Sequence, residues 1–249
     1  MDWLETPDDI SGLTEGMTPL DAANSGDLLV VLPHPDDESF AAGGTMALFA
    51  DQGRQVHYLC GTYGDGGRRM GNPPIANRES MRDIRERELA EACRILGCSW
   101  SMLGLRDKTV EFEAPDLVAG LIREVIRERR PGTVITFYPG HAVHPDHDAL
   151  GEATQRAVAG LEPTERPLLL AVAVGSPDAL ERLGPPDRYV DIRSVARRKA
   201  GALKAHRSQT QLMFEQLESG EADADERTQA FRRESFAVEK FYTLPRTTG

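Results

Sequence analysis

Cysteine is scarce: three residues in 249, Cys60, Cys93 and Cys98, with no CxxC spacing. An odd set without paired spacing excludes a disulfide scaffold and suits free thiols in a reducing compartment, so a cytoplasmic protein is expected. Long apolar runs are also missing. No stretch approaches the roughly 20 apolar residues that span a membrane, so no membrane partner is expected. The first residues, Met1-Asp2-Trp3-Leu4-Glu5, lack the apolar core of a secretion signal. Basic runs are absent too. Lys and Arg number 29 against 40 Asp and Glu, a formal charge of -11. Such a chain is a poor nucleic-acid binder, although a local arginine cluster can still take a small anion. No internal repeat or low-complexity tract is visible.

What is present is ordinary for a folded domain: 40% apolar and 28% charged residues. The length fits one α/β domain that buries its core without disulfides or a structural metal, so a metal bound here is functional rather than structural.

Residues 1–26 are rich in Asp, Thr, Gly and Pro and read as an N-terminal extension. Residues 27–249 read as a single domain. The continuous apolar run Asp27 to Pro33 is expected to be a buried parallel strand. A helix is expected over 43–53, ended by Gly53, and a strand over 55–62. A Gly-rich loop with two arginines follows over 61–74. Further helices are expected over 78–96, stopped by Gly97, and over 117–129. They flank a short strand over 100–103. Then come a strand over 133–138, a helix over 147–161 opened by Pro145, a strand over 168–174, a short strand over 189–192 and a helix over 194–206. Residues 219–227 read as an acidic loop, 226–233 as a helix and 236–244 as a last strand. This alternation predicts an α/β, Rossmann-like three-layer αβα sandwich with a mostly parallel sheet. Ligands of such folds sit beyond the carboxyl ends of the strands, at the switch point.

Two segments follow strand ends: Pro33-His34-Pro35-Asp36-Asp37-Glu38 and His144-Pro145-Asp146-His147. Two imidazoles and one carboxylate suit a catalytic zinc with an open position. A second carboxylate can serve as general base, and a second histidine can stabilise an oxyanion as imidazolium. The plainer alternative is that these residues are turn and cap formers. Spacing alone does not divide the six polar residues by role.

PHPDDE after a first apolar strand, with HPDH later, resembles the LmbE/PIG-L superfamily of N-acetylglucosamine deacetylases. The resemblance runs from about Asp27 to Phe241. It includes Gly43-Gly44-Thr45, Thr62-Tyr63-Gly64-Asp65-Gly66, Leu103-Gly104-Leu105-Arg106-Asp107 and Ala205-His206-Arg207-Ser208-Gln209. Met70-Gly71-Asn72-Pro73-Pro74, Leu105-Arg106-Asp107-Lys108-Thr109 and Phe137-Tyr138-Pro139-Gly140-His141 look like the second type of bacillithiol-biosynthesis deacetylase. The resemblance implies that His34, Asp37 and His147 bind zinc, with Fe(II) able to occupy the same set. It implies that Asp36 is the general base and His144 the oxyanion stabiliser. Asp146 is expected beside them, orienting His144 or capping a helix.

The implied substrate is N-acetylglucosaminyl malate, a small-molecule glycoside, and the implied assembly is a homo-oligomer, possibly a hexamer. A dicarboxylate calls for arginine. Arg68, Arg69, Arg78 and Arg106 are candidates, with Arg78 and Arg106 favoured because they match family positions. Asp107 is expected to bind sugar hydroxyls. The mycothiol branch carries a Tyr two residues before HPDH, where Ala142 stands here. His141 is expected to be an exposed loop histidine, and His57 and His206 are expected to be structural.

Other readings use the same residues. An amidase of bacillithiol or mycothiol S-conjugates needs the same zinc chemistry in a different pocket. Non-haem Fe(II) oxygenases also use two His and one carboxylate, but they have no need of Asp36 and His144 and usually sit on all-β barrels. A non-catalytic sugar-binding module would tolerate loss of the base.

Overall fold

The computed structural model describes residue 4 and residues 6–142, 144–173, 179–219 and 234–246. Its strands are β1 (Thr18–Pro19), β2 (Leu28–Leu32), β3 (Val56–Thr62), β4 (Ser99–Leu105), β5 (Thr133–Phe137), β6 (Leu168–Val172), β7 (Arg188–Asp191) and β8 (Val238–Thr243). They form one eight-stranded sheet in the order β1-β7-β8-β6-β5-β2-β3-β4. The pairs from β6 to β4 are parallel, as is β1 with β7. β8 runs antiparallel to both β6 and β7.

The sequence of β2 explains its central place. Leu28, Val30 and Leu32 pack on one face, Leu29 and Val31 on the other, and all five are buried. A strand apolar on both sides must be covered on both sides, as parallel sheets are. The helices are α1 (Asp37–Asp51), α2 (Met81–Leu96), α3 (Pro115–Arg129), α4 (Pro145–Ala159), α5 (Ala179–Leu183), α6 (Ala196–Ala205) and α7 (Arg207–Ser219). Residues of α1, α2 and α6 share the core with Leu28, Val30 and Leu32; those of α3 and α4 share it with Leu29 and Val31.

From β2 the chain steps outward to β3 and β4, then crosses back to β5 on the other side of β2. The switch point therefore lies between the carboxyl ends of β2 and β5, where both polar segments emerge.

The structure differs from expectation in places. α1 starts at Asp37 rather than 43, because the chain turns into the helix inside the HPDD segment. A separate helix, α7, follows His206 without a loop between, and Ser219 is its last residue. β1, within residues 1–26, pairs with β7 at the sheet edge. Residue 174 and the expected helix over 226–233 lie outside the described residues.

Candidate active site

The turn after β2 is clamped by its neighbour. Thr62 donates to the Pro33 carbonyl from its backbone N–H at 2.8 Å and its hydroxyl at 2.9 Å. The Tyr58 hydroxyl donates to the His34 carbonyl at 2.6 Å. Asp36 then takes φ 107° and ψ -31°, a conformation that costs a non-glycine residue about 1–3 kcal/mol and persists only where its surroundings over-determine it. Here the Asp36 N–H donates to Glu38 Oε2 at 3.0 Å. After β5, His144 is the N-cap of α4, its Nδ1 accepting the Asp146 N–H at 3.1 Å, with Pro145 in the first turn. That contact leaves the ring proton on Nε2. The His147 ring stacks on Phe137 with centroids 4.1 Å apart.

Three donor atoms converge. His34 Nδ1 lies 3.2 Å from His147 Nε2 and 3.3 Å from Asp37 Oδ2, and His147 Nε2 lies 3.4 Å from Asp37 Oδ2. Ligands held about 2.1 Å from a tetrahedral zinc are about 3.4 Å apart, so these atoms are spaced as one face of a metal site. The other ring nitrogen of His34 points away from that face, 3.2 Å from Asp107 Oδ1 and 3.3 Å from Asp146 Oδ2. Carboxylates behind a histidine fix its tautomer and turn its free nitrogen toward the ion. His34, His144 and Asp146 also lie close enough to share an ion. However, both oxygens of the buried Asp146 already accept backbone N–H groups, from Lys108 at 2.7 Å and Val110 at 3.1 Å. The set His34, Asp37 and His147 fits a metal better.

The electrostatics agree with a site built around a cation. Burial opposes charge on His34, but its hydrogen bonds to Asp107, Asp146 and Asp37 prevail and raise its pKa well above the usual value. Burial pushes the Asp37 carboxyl up, yet His147 and His34 beside it hold it below the ordinary value. Burial lowers His147, which keeps it neutral and ready to ligate. Asp36 is raised to about 6, chiefly by burial, against the pull of Arg85. A carboxylate with a pKa near the working pH is suited to accept and return a proton.

The cleft over these groups has a volume of about 610 Å³. It is lined by His34, Asp36, Asp37, His144 and His147 on the floor, and by Phe40, Arg68, Arg69, Lys108 and Gln209 among others around the walls. Arg78 and Arg106 are both exposed and line no part of it. Asp107 does line it, but both its oxygens are engaged, one by His34 and one by the Gly66 N–H at 2.7 Å. Asp146 turns its carboxylate to His34 rather than His144, whose Nδ1 is 3.9 Å away.

Sequence reasoning missed Arg85. It is buried, pairs with Asp36 at 3.1 Å and donates to the Gly64 carbonyl at 2.7 Å and to the Pro35 carbonyl. A signal existed: Arg85 shares the helical stripe of Met81, Glu88, Leu89 and Ala92, all buried. A charge on an apolar stripe needs a partner.

The model of the GlcNAc-PI de-N-acetylase (PIG-L) family matches residues 29–158. The chain belongs to this family. A relative from Bacillus cereus, described as a probable N-acetyl-alpha-D-glucosaminyl L-malate deacetylase 2, is 50% identical over 189 residues. That alignment covers 76% of this chain and 86% of the relative. Among solved structures, a conserved protein of Thermus thermophilus is 28% identical with a TM-score of 0.64, covering 90% of this chain and 96% of that one. GalB, the 4-carboxy-2-hydroxymuconate hydratase of Pseudomonas putida KT2440, is 25% identical with a TM-score of 0.66 over 90% of this chain and 98% of its own. The PIG-L fold thus also carries a hydratase, so the reaction must be argued from the site.

Proposed function

We propose that this chain is a metal-dependent deacetylase that hydrolyses the N-acetyl group of N-acetylglucosaminyl malate, releasing acetate and the free amine. The observation that carries this reading is the triangle of His34 Nδ1, His147 Nε2 and Asp37 Oδ2, 3.2–3.4 Å on each side, in one cleft with Asp36. His34, Asp37 and His147 hold the ion in this reading, and the ion is zinc. A divalent metal bound there polarises the acetamide carbonyl and lowers the pKa of water.

Asp36 takes the proton of the attacking water and returns it to the leaving amine. Its carboxylate is held for this by Arg85. His144, with its Nδ1 occupied by the Asp146 N–H, donates from Nε2 to the developing oxyanion. One such donor typically contributes about 100- to 1000-fold in rate. Asp107 and Asp146 position His34. The malate glycoside is favoured because the relative at 50% identity carries that substrate in its name. Cytoplasmic residence and a homo-oligomeric state belong to the same reading; cell fractionation and sedimentation test them. No helix among the described residues is long and apolar enough to cross a membrane.

The deciding experiment offers the purified protein N-acetylglucosaminyl malate, plain N-acetylglucosamine and a bacillithiol S-conjugate, with and without a chelator. Release of acetate from the malate glycoside, abolished by the chelator and restored by zinc, is expected. Turnover of the S-conjugate alone would assign an amidase, and turnover indifferent to chelation would remove the metal.

A further inference from the structure

The cleft has an acidic floor and a basic wall. Asp36, Asp37 and Asp107 lie at its base, a poor place for an anionic substrate to approach. Among the described residues, the lysines and arginines lining the cleft are Arg68, Arg69, Arg85 and Lys108. Arg85 is committed to Asp36 and to two carbonyls. Arg69 spends one nitrogen on the Gln209 carbonyl, at 2.9 Å. Lys108 reaches the Gly66 carbonyl and keeps two donors free. Arg68 is exposed and has no hydrogen-bond or ion-pair partner among the described residues, so its whole fork faces solvent at the cleft.

The loop that carries Arg68 and Arg69 is built rather than loose. Its Gly64 and Gly66 are needed for close approach. A Cβ on Gly64 would lie 2.2 Å from the Arg85 guanidinium, and one on Gly66 would lie 2.9 Å from Asp107 Oδ2. Farther along, the loop is stitched to the first turn of α7. Gln209 Nε2 donates to the Arg69 carbonyl at 3.1 Å, returning the bond that Arg69 gives. The Gly71 N–H donates to the Ser208 carbonyl at 3.1 Å, and the Asn72 N–H to Gln211 Oε1 at 3.1 Å. Gln211 Nε2 in turn donates to the Asn72 carbonyl. Ser208 itself is anchored to Glu88 of α2 through its N–H and hydroxyl, both at 2.7 Å. Two segments far apart in sequence, Met70-Gly71-Asn72 and Ser208-Gln209-Thr210-Gln211, therefore form one unit that fixes the height and orientation of the basic wall.

We propose that residues 64–76, docked on the start of α7, are the element that recognises the acidic aglycone, with Arg68 and Lys108 holding its carboxylate. The proposal rests on the substrate reading above for the identity of that aglycone as malate. A guanidinium fork matches a carboxylate in two parallel hydrogen bonds, and an ammonium adds a point charge. Loop anchoring by Gln209 and Gln211 keeps those donors pre-organised, so little ordering is left for the moment of binding.

The test has two arms on the metal-loaded protein. One compares kcat/KM for N-acetylglucosaminyl malate with that for methyl N-acetylglucosaminide. The other titrates L-malate calorimetrically. Arg68→Ala is expected to lower the ratio of the two kcat/KM values roughly tenfold or more and to weaken malate binding in parallel, with Arg68→Lys between it and the parent. Gln211→Ala, outside the cleft, is expected to lower the same ratio by loosening the loop. An unchanged ratio together with unchanged malate binding in Arg68→Ala overturns the proposal, as does a parent protein that neither binds malate nor prefers its glycoside. A parent protein that binds malate through Arg68 but does not deacetylate the malate glycoside sinks the substrate reading and leaves the subsite standing.

Discussion

His206 Nε2 lies 2.6 Å from Glu38 Oε1, and both side chains are fully buried. Glu38 is the hub of the turn: it also accepts the Ser39 hydroxyl at 2.6 Å and the Asp36 N–H at 3.0 Å. Burial disfavours the imidazolium, but the Glu38 charge beside it prevails and raises the His206 pKa. Replacing Glu38 by Ala leaves His206 and the Asp36 N–H unpaired in the interior, a change that typically costs about 3–5 kcal/mol. For a chain of this size the melting temperature should fall by roughly 6–20 °C, read by calorimetry. Glu38→Gln, which keeps an acceptor for the Asp36 N–H, should lose less. Equal melting temperatures for parent and Glu38→Ala would show that this pair does not support the turn.

Asp36→Ala separates proton transfer from metal binding. Asp36 is not among the three convergent donor atoms, and its carboxylate faces Arg85 instead. Turnover should drop by about 100- to 10,000-fold, the range for loss of a general base. Metal content, measured by atomic absorption after dialysis, should be retained. Loss of the metal together with the activity would move Asp36 into the ligand set.

Much of this was legible in the sequence. The run Leu28–Leu32 and the β-branched Thr133–Phe137 place themselves in a parallel sheet, and each is followed by a His/Asp segment, so the switch point and its polar lining follow. The loop that carries Arg68 and Arg69 was legible as a candidate, but the role of Arg85 was not. Arg85 reads as one of many charges on a highly charged helix until its neighbours on the stripe are known to be buried. Asp107 reads as a sugar-binding residue and Asp146 as a group that orients His144 or caps a helix, because the convergence of three remote segments on His34 is a property of the assembled sheet. The separate start of α7 was hidden for a similar reason. Its first-turn side chains reach out of the helix, Gln209 and Gln211 to the loop at 69–72 and Ser208 to Glu88, so no local capping pattern announces it.

Acid should weaken the fold through His57. Its ring nitrogens each lie 2.8 Å from a serine hydroxyl, Ser99 and Ser101 on the neighbouring strand. Burial, with a smaller contribution from Arg129, lowers its pKa to about 4. The folded protein therefore holds the neutral ring, while the unfolded chain binds a proton below about 6.5. Stability attached to this group is intact above about pH 6.5 and is lost as pH falls toward 4, by up to about 3 kcal/mol. Urea unfolding at a series of pH values, compared with His57→Gln, isolates this contribution from the carboxylates. The two curves should converge as pH falls from 6.5 to 4. Parallel curves over that window would mean the histidine titrates alike in both states.

Gly44 tests why a glycine pair sits in the middle of α1. Helix interiors disfavour glycine by about 1 kcal/mol relative to alanine, so Gly44→Ala would stabilise the chain if the site had room. It has none: a Cβ there would lie 2.5 Å from Ile192 Cγ2 and 2.6 Å from Ile192 Cβ. Ile192 is fully buried at the end of β7 and offers no free end to swing aside. The backbone N–H of Gly44 also donates to Glu239 Oε1 at 2.8 Å, and Glu239 pairs with the buried Lys199 at 2.7 Å. Moving α1 outward to admit a methyl would stretch that bond to a buried carboxylate. Overpacking of this kind costs about 1–3 kcal/mol, enough to override the helix-propensity gain. Gly44→Ala should therefore lower the urea midpoint, and the double variant Gly44→Ala with Ile192→Val should recover part of the loss. A stabilised Gly44→Ala would mean that α1 stands farther from β7 than this packing requires.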